Sequence, residues 1–156
     1  MARFELLNSQ NAFFDGHRKM DASETSVYRG YIASVDNDDG ELITEDGSHK
    51  IIGLFYDFMS LVEYPTTENL AQLIGKNCNI VSGVFDCILS ADLFSEGTLP
   101  AIGDAVYNKA DGSGKWDHTS SNTVNLGTCI GTQVLRDETG ATATGAVIRC
   151  IIPISG

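Results

Sequence analysis

The sequence predicts a mainly β, all-β protein: a small Gly-rich β-barrel or sandwich with one short helix near residues 66–74 and an irregular N-terminal arm. Three observations carry that prediction. Apolar and β-branched residues fall in short runs, not in long periodic stretches. Gly, Asp, Asn and Ser clusters interrupt them at roughly the 8–12-residue spacing of small β folds. A helical repeat of apolar residues occurs once, after Pro65.

The elements follow in order. Residues 1–26 form a lead-in whose apolar members, Phe4, Leu6, Leu7, Phe13 and Phe14, keep neither a period of 2 nor of 3.6. Residues 27–156 then read as a single β-rich domain. Its first strand runs over Val27–Val35, and the Asp36–Gly40 run supplies a turn before Glu41–Thr44. Asp46-Gly47 breaks that segment ahead of Lys50–Tyr56, the strand, Asp-Gly, strand pattern of a hairpin. In the helix candidate Leu70, Leu73 and Ile74 share a face, Thr66 or Thr67 is the cap, and Gly75 ends it. About two and a half turns long, it depends on tertiary packing to persist.

Beyond it lie strand segments at Asn79–Val81, Val84–Leu89, Ala105–Tyr107, Lys115–Asp117, Thr123–Val124, Thr128–Gly131, Gln133–Leu135 and Ala146–Ile152. The last is apolar on both faces except at Arg149, which predicts a central strand.

At 156 residues and 16.8 kDa the chain is long enough to bury a core without staples. Ten basic against 21 acidic side chains leave a net charge of −11. The two halves are both acidic, so the charge is no tail. That balance excludes a protein built to hold nucleic-acid phosphates and favours solubility through repulsion. No apolar run is long enough to span a bilayer, and the first residues lack the apolar core of a secretory signal. Cys78, Cys87, Cys129 and Cys150 form no C-x-x-C pair and stand among apolar neighbours, as buried, reduced thiols of a cytoplasmically assembled protein do.

Motifs for chemistry fail on spacing, leaving no catalytic, cofactor or metal assignment. Asp36-Asn37-Asp38-Asp39-Gly40 puts Gly at the fifth position of a calcium loop, not the sixth. A looser calcium site and a plain Asx turn stay open there. Gly112-Ser113-Gly114-Lys115 lacks phosphate-loop spacing, with Trp116 where a magnesium-binding hydroxyl belongs. His17, His49 and His118 make no ligand pair, and Asp117-His118-Thr119-Ser120 supplies triad groups without triad geometry. Tyr28, Tyr31, Phe55, Tyr56, Phe58 and Trp116 suit strand core better than a ligand platform.

The C-terminal stretch carries a resemblance. Gly103-Asp104-Ala105-Val106-Tyr107, then Gly127-Thr128-Cys129-Ile130-Gly131, then Val147-Ile148-Arg149-Cys150-Ile151-Ile152 give the order "GD-x-V-Y", "G-x-x-I-G", "V-x-R-x-x-I". Over roughly residues 97–153 this resembles the small β-barrel decoration, or cement, proteins of tailed-phage capsids. The resemblance implies a structural virion protein without catalytic residues, located on the capsid exterior. Its partner would be the major capsid protein, with no nucleic acid and no membrane involved. It would bridge capsid subunits as a homo-oligomer (dimer or trimer).

Within that reading Arg3, Phe4, Phe13 and Phe14 are the expected capsid-binding residues, on an arm either ordered by the shell or packed on its own barrel. The alternative function is a carbohydrate- or ligand-binding β-domain of a virion fibre or surface module.

Overall fold

The structure, a computed structural model, describes residues 4–56, 69–119, 124–136 and 140–153. It is mainly β, an antiparallel sheet curled into a half-barrel. Among the described residues there are nine strands: β1 (Phe4–Asp15), β2 (Ile32–Val35), β3 (Leu42–Thr44), β4 (Lys50–Phe55), β5 (Ile80–Ser90), β6 (Ala105–Asn108), β7 (Trp116–Asp117), β8 (Asn125–Arg136) and β9 (Thr142–Ile152). The order is β3-β2-β4-β5-β9-β8-β6-β7, with β1 added to β5.

β5 is the trunk. One of its edges pairs with β1 from Phe4↔Leu89 to Asp15↔Ile80. The other is shared by β4, at Ile80 and Val81, and by β9 from Gly83 to Ser90. Two sequence runs split at Ser82-Gly83 thus form one strand that bends at Gly83, where φ is +90°. A Cβ there would lie 2.6 Å from the Asn11 carbonyl oxygen, so only glycine lets β1 approach.

The curl brings the two ends of the sheet together. Ile32 N–H donates to Gly114 O at 2.7 Å, and Gly112 N–H to Glu45 O at 3.2 Å. Trp116, fully buried, donates its indole N–H to Gly30 O at 2.8 Å. Phe55, Phe85, Phe94, Leu54, Val106 and Leu126 fill the space between.

Several expectations change. The lead-in read as irregular is a twelve-residue strand over Phe4–Asp15, packed on the protein's own sheet. Its period is hidden by register shifts between Leu6 and Asn8 and between Asn8 and Asn11. β3 and β4 are not a hairpin, because β2 lies between them and pairs with both. The Asp46 carboxylate accepts from Ser48 N–H and His49 N–H, and Glu45 from Gly47 N–H, which turns the chain past β2. Asp36–Gly40 makes the true hairpin, with Gly40 N–H donating to Asp36 O at 2.8 Å.

The helix expected near 66–74 is not formed over its described residues, where one 3₁₀ turn spans Ala71–Leu73. Residues 66–68, with the proposed cap, lie outside the described residues. Backbone bonds to residues around Met20 compete with the helix: Gly75 N–H donates to Met20 O, and Met20 N–H to Lys76 O. Leu70 and Leu73 still face the core. β9 is central, between β5 and β8, but one face is open, with Ile151 63% exposed beside the exposed Arg149.

Candidate functional site

The three stretches that carry the C-terminal resemblance become β6, β8 and β9, adjacent and antiparallel in that order. Their residues have local reasons. The Gly103-Asp104 turn is stitched to β8: Gly103 N–H donates to Cys129 O at 2.8 Å and Cys129 N–H to Asp104 O at 2.9 Å. Gly127 stands where a Cβ would lie 2.4 Å from Arg149 O. Arg149 reaches across to Asp86, directly opposite on β5, with Nε 3.0 Å from Oδ1.

The outward surface of β1, β5 and β9 is apolar in patches. Val84 stands opposite Ile151 on one side and Asn11 on the other, and all three strands contribute exposed side chains there. Leu7, Phe13 and Phe14 are exposed on β1, the two phenylalanines at 46% each. From Leu6 to Phe14 the strand has no charge, although the chain carries −11. Among the described residues no strand pairs with the other edge of β1.

Of the residues expected to contact a partner, Phe13 and Phe14 are both exposed, but as consecutive residues of β1 they point to opposite faces, Phe14 toward the Tyr56 ring at 5.4 Å. Phe4 is buried, being 5% exposed and set edge-on to Tyr56 in the core. Arg3 lies outside the described residues.

The acidic turn uses its side chains locally. Asp36 Oδ1 accepts from Asp38 N–H, and Asp39 Oδ1 from Glu41 N–H. Folding brings Asp21, Asp39 and Glu41 within 4.8 Å of one another, which sequence spacing did not signal. Asp21 is occupied by Ser23, whose N–H and hydroxyl both donate to it and hold its carboxyl below the ordinary range. Arg18 reaches the same turn through Gly40 O at 3.2 Å.

The other candidates resolve as structure. His118 turns to Thr98 and Glu96, and Asp117 accepts from Thr119 N–H, so the two make no relay with one another. Ser120 lies outside the described residues. Asp111 caps the turn that resembled a phosphate loop by accepting from Ser113. Phe55, Trp116 and Tyr31 are core, Tyr28 and Tyr56 are half-buried, and Phe58 lies outside the described residues. All four cysteines are buried thiols outside any disulfide. Burial pushes the Cys87 thiol well above its ordinary range, reinforced by the Cys150 sulfur at 3.6 Å.

One cavity of about 520 Å³ opens where β3, β4, β6 and β8 converge. Glu45, Asn108, His49 and Lys50 form its polar part, and Ile51, Val124, Leu126 and Pro153 its apolar wall. No local motif marks it, because its lining comes together from three distant segments of the chain and Pro153.

No protein-family model matches the chain, and no curated protein matches it. Among the described residues no helix is long and apolar enough to cross a membrane.

Proposed function

We propose that this protein is a capsid decoration protein: it binds the outer surface of a phage head, bridges capsid subunits and stabilises the shell. The observation that carries the reading is β1, a twelve-residue edge strand, uncharged from Leu6 to Phe14, with Leu7, Phe13 and Phe14 exposed. A long uncharged strand edge is a template for another chain's strand or surface. The rest of the chain keeps a high-copy protein soluble through its negative charge. Weak contacts of this kind gain strength when several copies engage a repeating lattice at once. Homo-oligomerisation (dimer or trimer) and the major capsid protein as partner belong to the same proposal.

The test is co-sedimentation with purified capsids. Deleting the first residues would remove a strand of the sheet, so single outward positions are the better probe. Phe13→Lys is expected to weaken capsid binding by about ten-fold or more, the scale of an interface hot spot, while circular dichroism and thermal midpoint stay near those of the parent. If the parent protein neither binds capsids nor protects them against heat or chelator, the reading fails.

A further inference from the structure

The cavity beside β3 and β6 contains a buried carboxylate that no cation of the described chain neutralises. Glu45 is 1% exposed. Its Oε1 accepts from Gly47 N–H at 2.6 Å and its Oε2 from the Asn108 amide at 2.5 Å. Asn108 is itself fixed, because its Oδ1 accepts from Val124 N–H at 2.8 Å, which turns its NH₂ toward Glu45. Both groups that bind the carboxylate are neutral donors. Among the described residues no Lys, Arg or His forms an ion pair with it. Two basic side chains share the cavity wall, but His49 is engaged through Nδ1 by Asp46 at 3.0 Å, and Lys50 is exposed.

Buried charges are ordinarily paired, because desolvation is costly and a nearby opposite charge offsets it. Here the vicinity is an open cavity of about 520 Å³, a size typical of small-molecule sites. The remaining wall is aliphatic: Ile51, Val124, Leu126 and Pro153. Charge and shape together select one ligand chemistry, a cationic head on an aliphatic stem.

We propose that this cavity binds an alkylammonium group, with the ammonium donating to Glu45 and the stem lying along the four aliphatic side chains. The group is supplied either by a free amine or by a lysine side chain of another protein. The inference does not rest on capsid binding, and either can hold without the other.

The test is amide NMR on the full chain, titrated in parallel with pentylamine, pentanol, a doubly capped lysine and a doubly capped norleucine. Pentylamine should shift the Gly47, Asn108 and Val124 signals saturably, and pentanol should bind about ten-fold more weakly, since it offers the stem without the charge. Capped lysine binding above capped norleucine assigns the site to protein side chains as well as free amines. Binding of pentylamine without capped lysine restricts it to free amines.

Glu45→Gln should weaken pentylamine by about ten-fold or more, as expected when a buried charge partner is removed. Val124→Trp, which fills the cavity from an exposed position and leaves Glu45 in place, should block it too. Equal binding of pentanol and pentylamine, no saturable shift with any of the four, or unchanged pentylamine binding in Val124→Trp would each overturn the proposal.

Discussion

Glu96 joins the end of β7 to the rest of the sheet through one carboxylate oxygen. Its Oε2 accepts from His118 N–H, Thr119 N–H and the Thr119 hydroxyl at 2.9, 2.9 and 2.8 Å. Burial pushes its pKa upward, but the hydrogen-bond interaction with the Asp117 side chain and the bonds from these donors outweigh it, and the carboxyl is held at about 2 against an ordinary 4.5. A depressed native pKa means that the ionised form stabilises the fold. The contribution is complete above about 4.5 and is lost as pH falls toward about 2. Urea unfolding at a series of pH values should show stability declining through that window. Glu96→Gln should be less stable at neutral pH and lose this part of the decline; if its profile runs parallel to the parent's, Glu96 is not the group responsible.

Trp116 makes a second single-residue prediction. Trp116→Phe removes the donor to Gly30 O and leaves a void among buried side chains. The expected loss is about 2–4 kcal/mol, combining an unsatisfied buried carbonyl with reduced packing. A loss well below about 1 kcal/mol would mean that the indole is not the link between the two ends of the sheet.

Among the elements, β1 owes its place in the sheet to β5, and the proposed docking depends on β1. Gly83→Ala places a methyl group against Asn11 O and strains a backbone at φ +90°. It should destabilise by about 2 kcal/mol or more, through strain and the lost pairing of β1. Limited proteolysis should then cut within Phe4–Asp15, whereas a parent-like digestion pattern would show that the β1–β5 contact tolerates the group.

Legibility in the sequence follows the same division. β6, β8 and β9 were visible because short apolar runs bounded by Gly and Asx turns survive their bulges. β1 was not, because its register shifts near Leu7 and Gln10 break the alternation that identifies a strand. The single turn at Ala71–Leu73 was overread because Leu70, Leu73 and Ile74 have helical spacing, while the competing bonds to Met20 are tertiary. Phe13 was readable as a surface candidate, but Phe4, identical in type, is core. Both pair with β5, Phe4 opposite Leu89 and Phe13 opposite Ser82, and the difference lies in what covers each side chain, which local composition does not encode. The cavity at Glu45 belongs to the same class, since the Glu45 and Asn108 side chains meet across 63 positions.

At the scale of the whole molecule, the proposed docking gives the charge of −11 and the uncharged strand edge separate tasks: the charge keeps free copies apart and draws them toward a basic surface, and the edge makes the contact. If a basic patch on the shell steers the protein, the association rate with capsids should fall as salt rises. The Debye length shrinks from about 30 Å at 0.01 M to about 8 Å at 0.15 M. Dissociation, governed by the apolar contact, should change far less. An association rate indifferent to salt would remove steering from the account.

Hydrogen exchange across Phe4–Asp15, with and without capsids, tests the central claim most directly. In the free protein the amides of β1 that are not bonded to β5 should exchange quickly. On the shell they should slow by about ten-fold or more, as amides do when an exposed edge becomes part of a stable contact, with further protection near Val84 and Ile151. Capsid-bound protein whose β1 amides exchange as fast as in the free state, while another surface gains protection, would contradict the assignment of β1 as the docking edge.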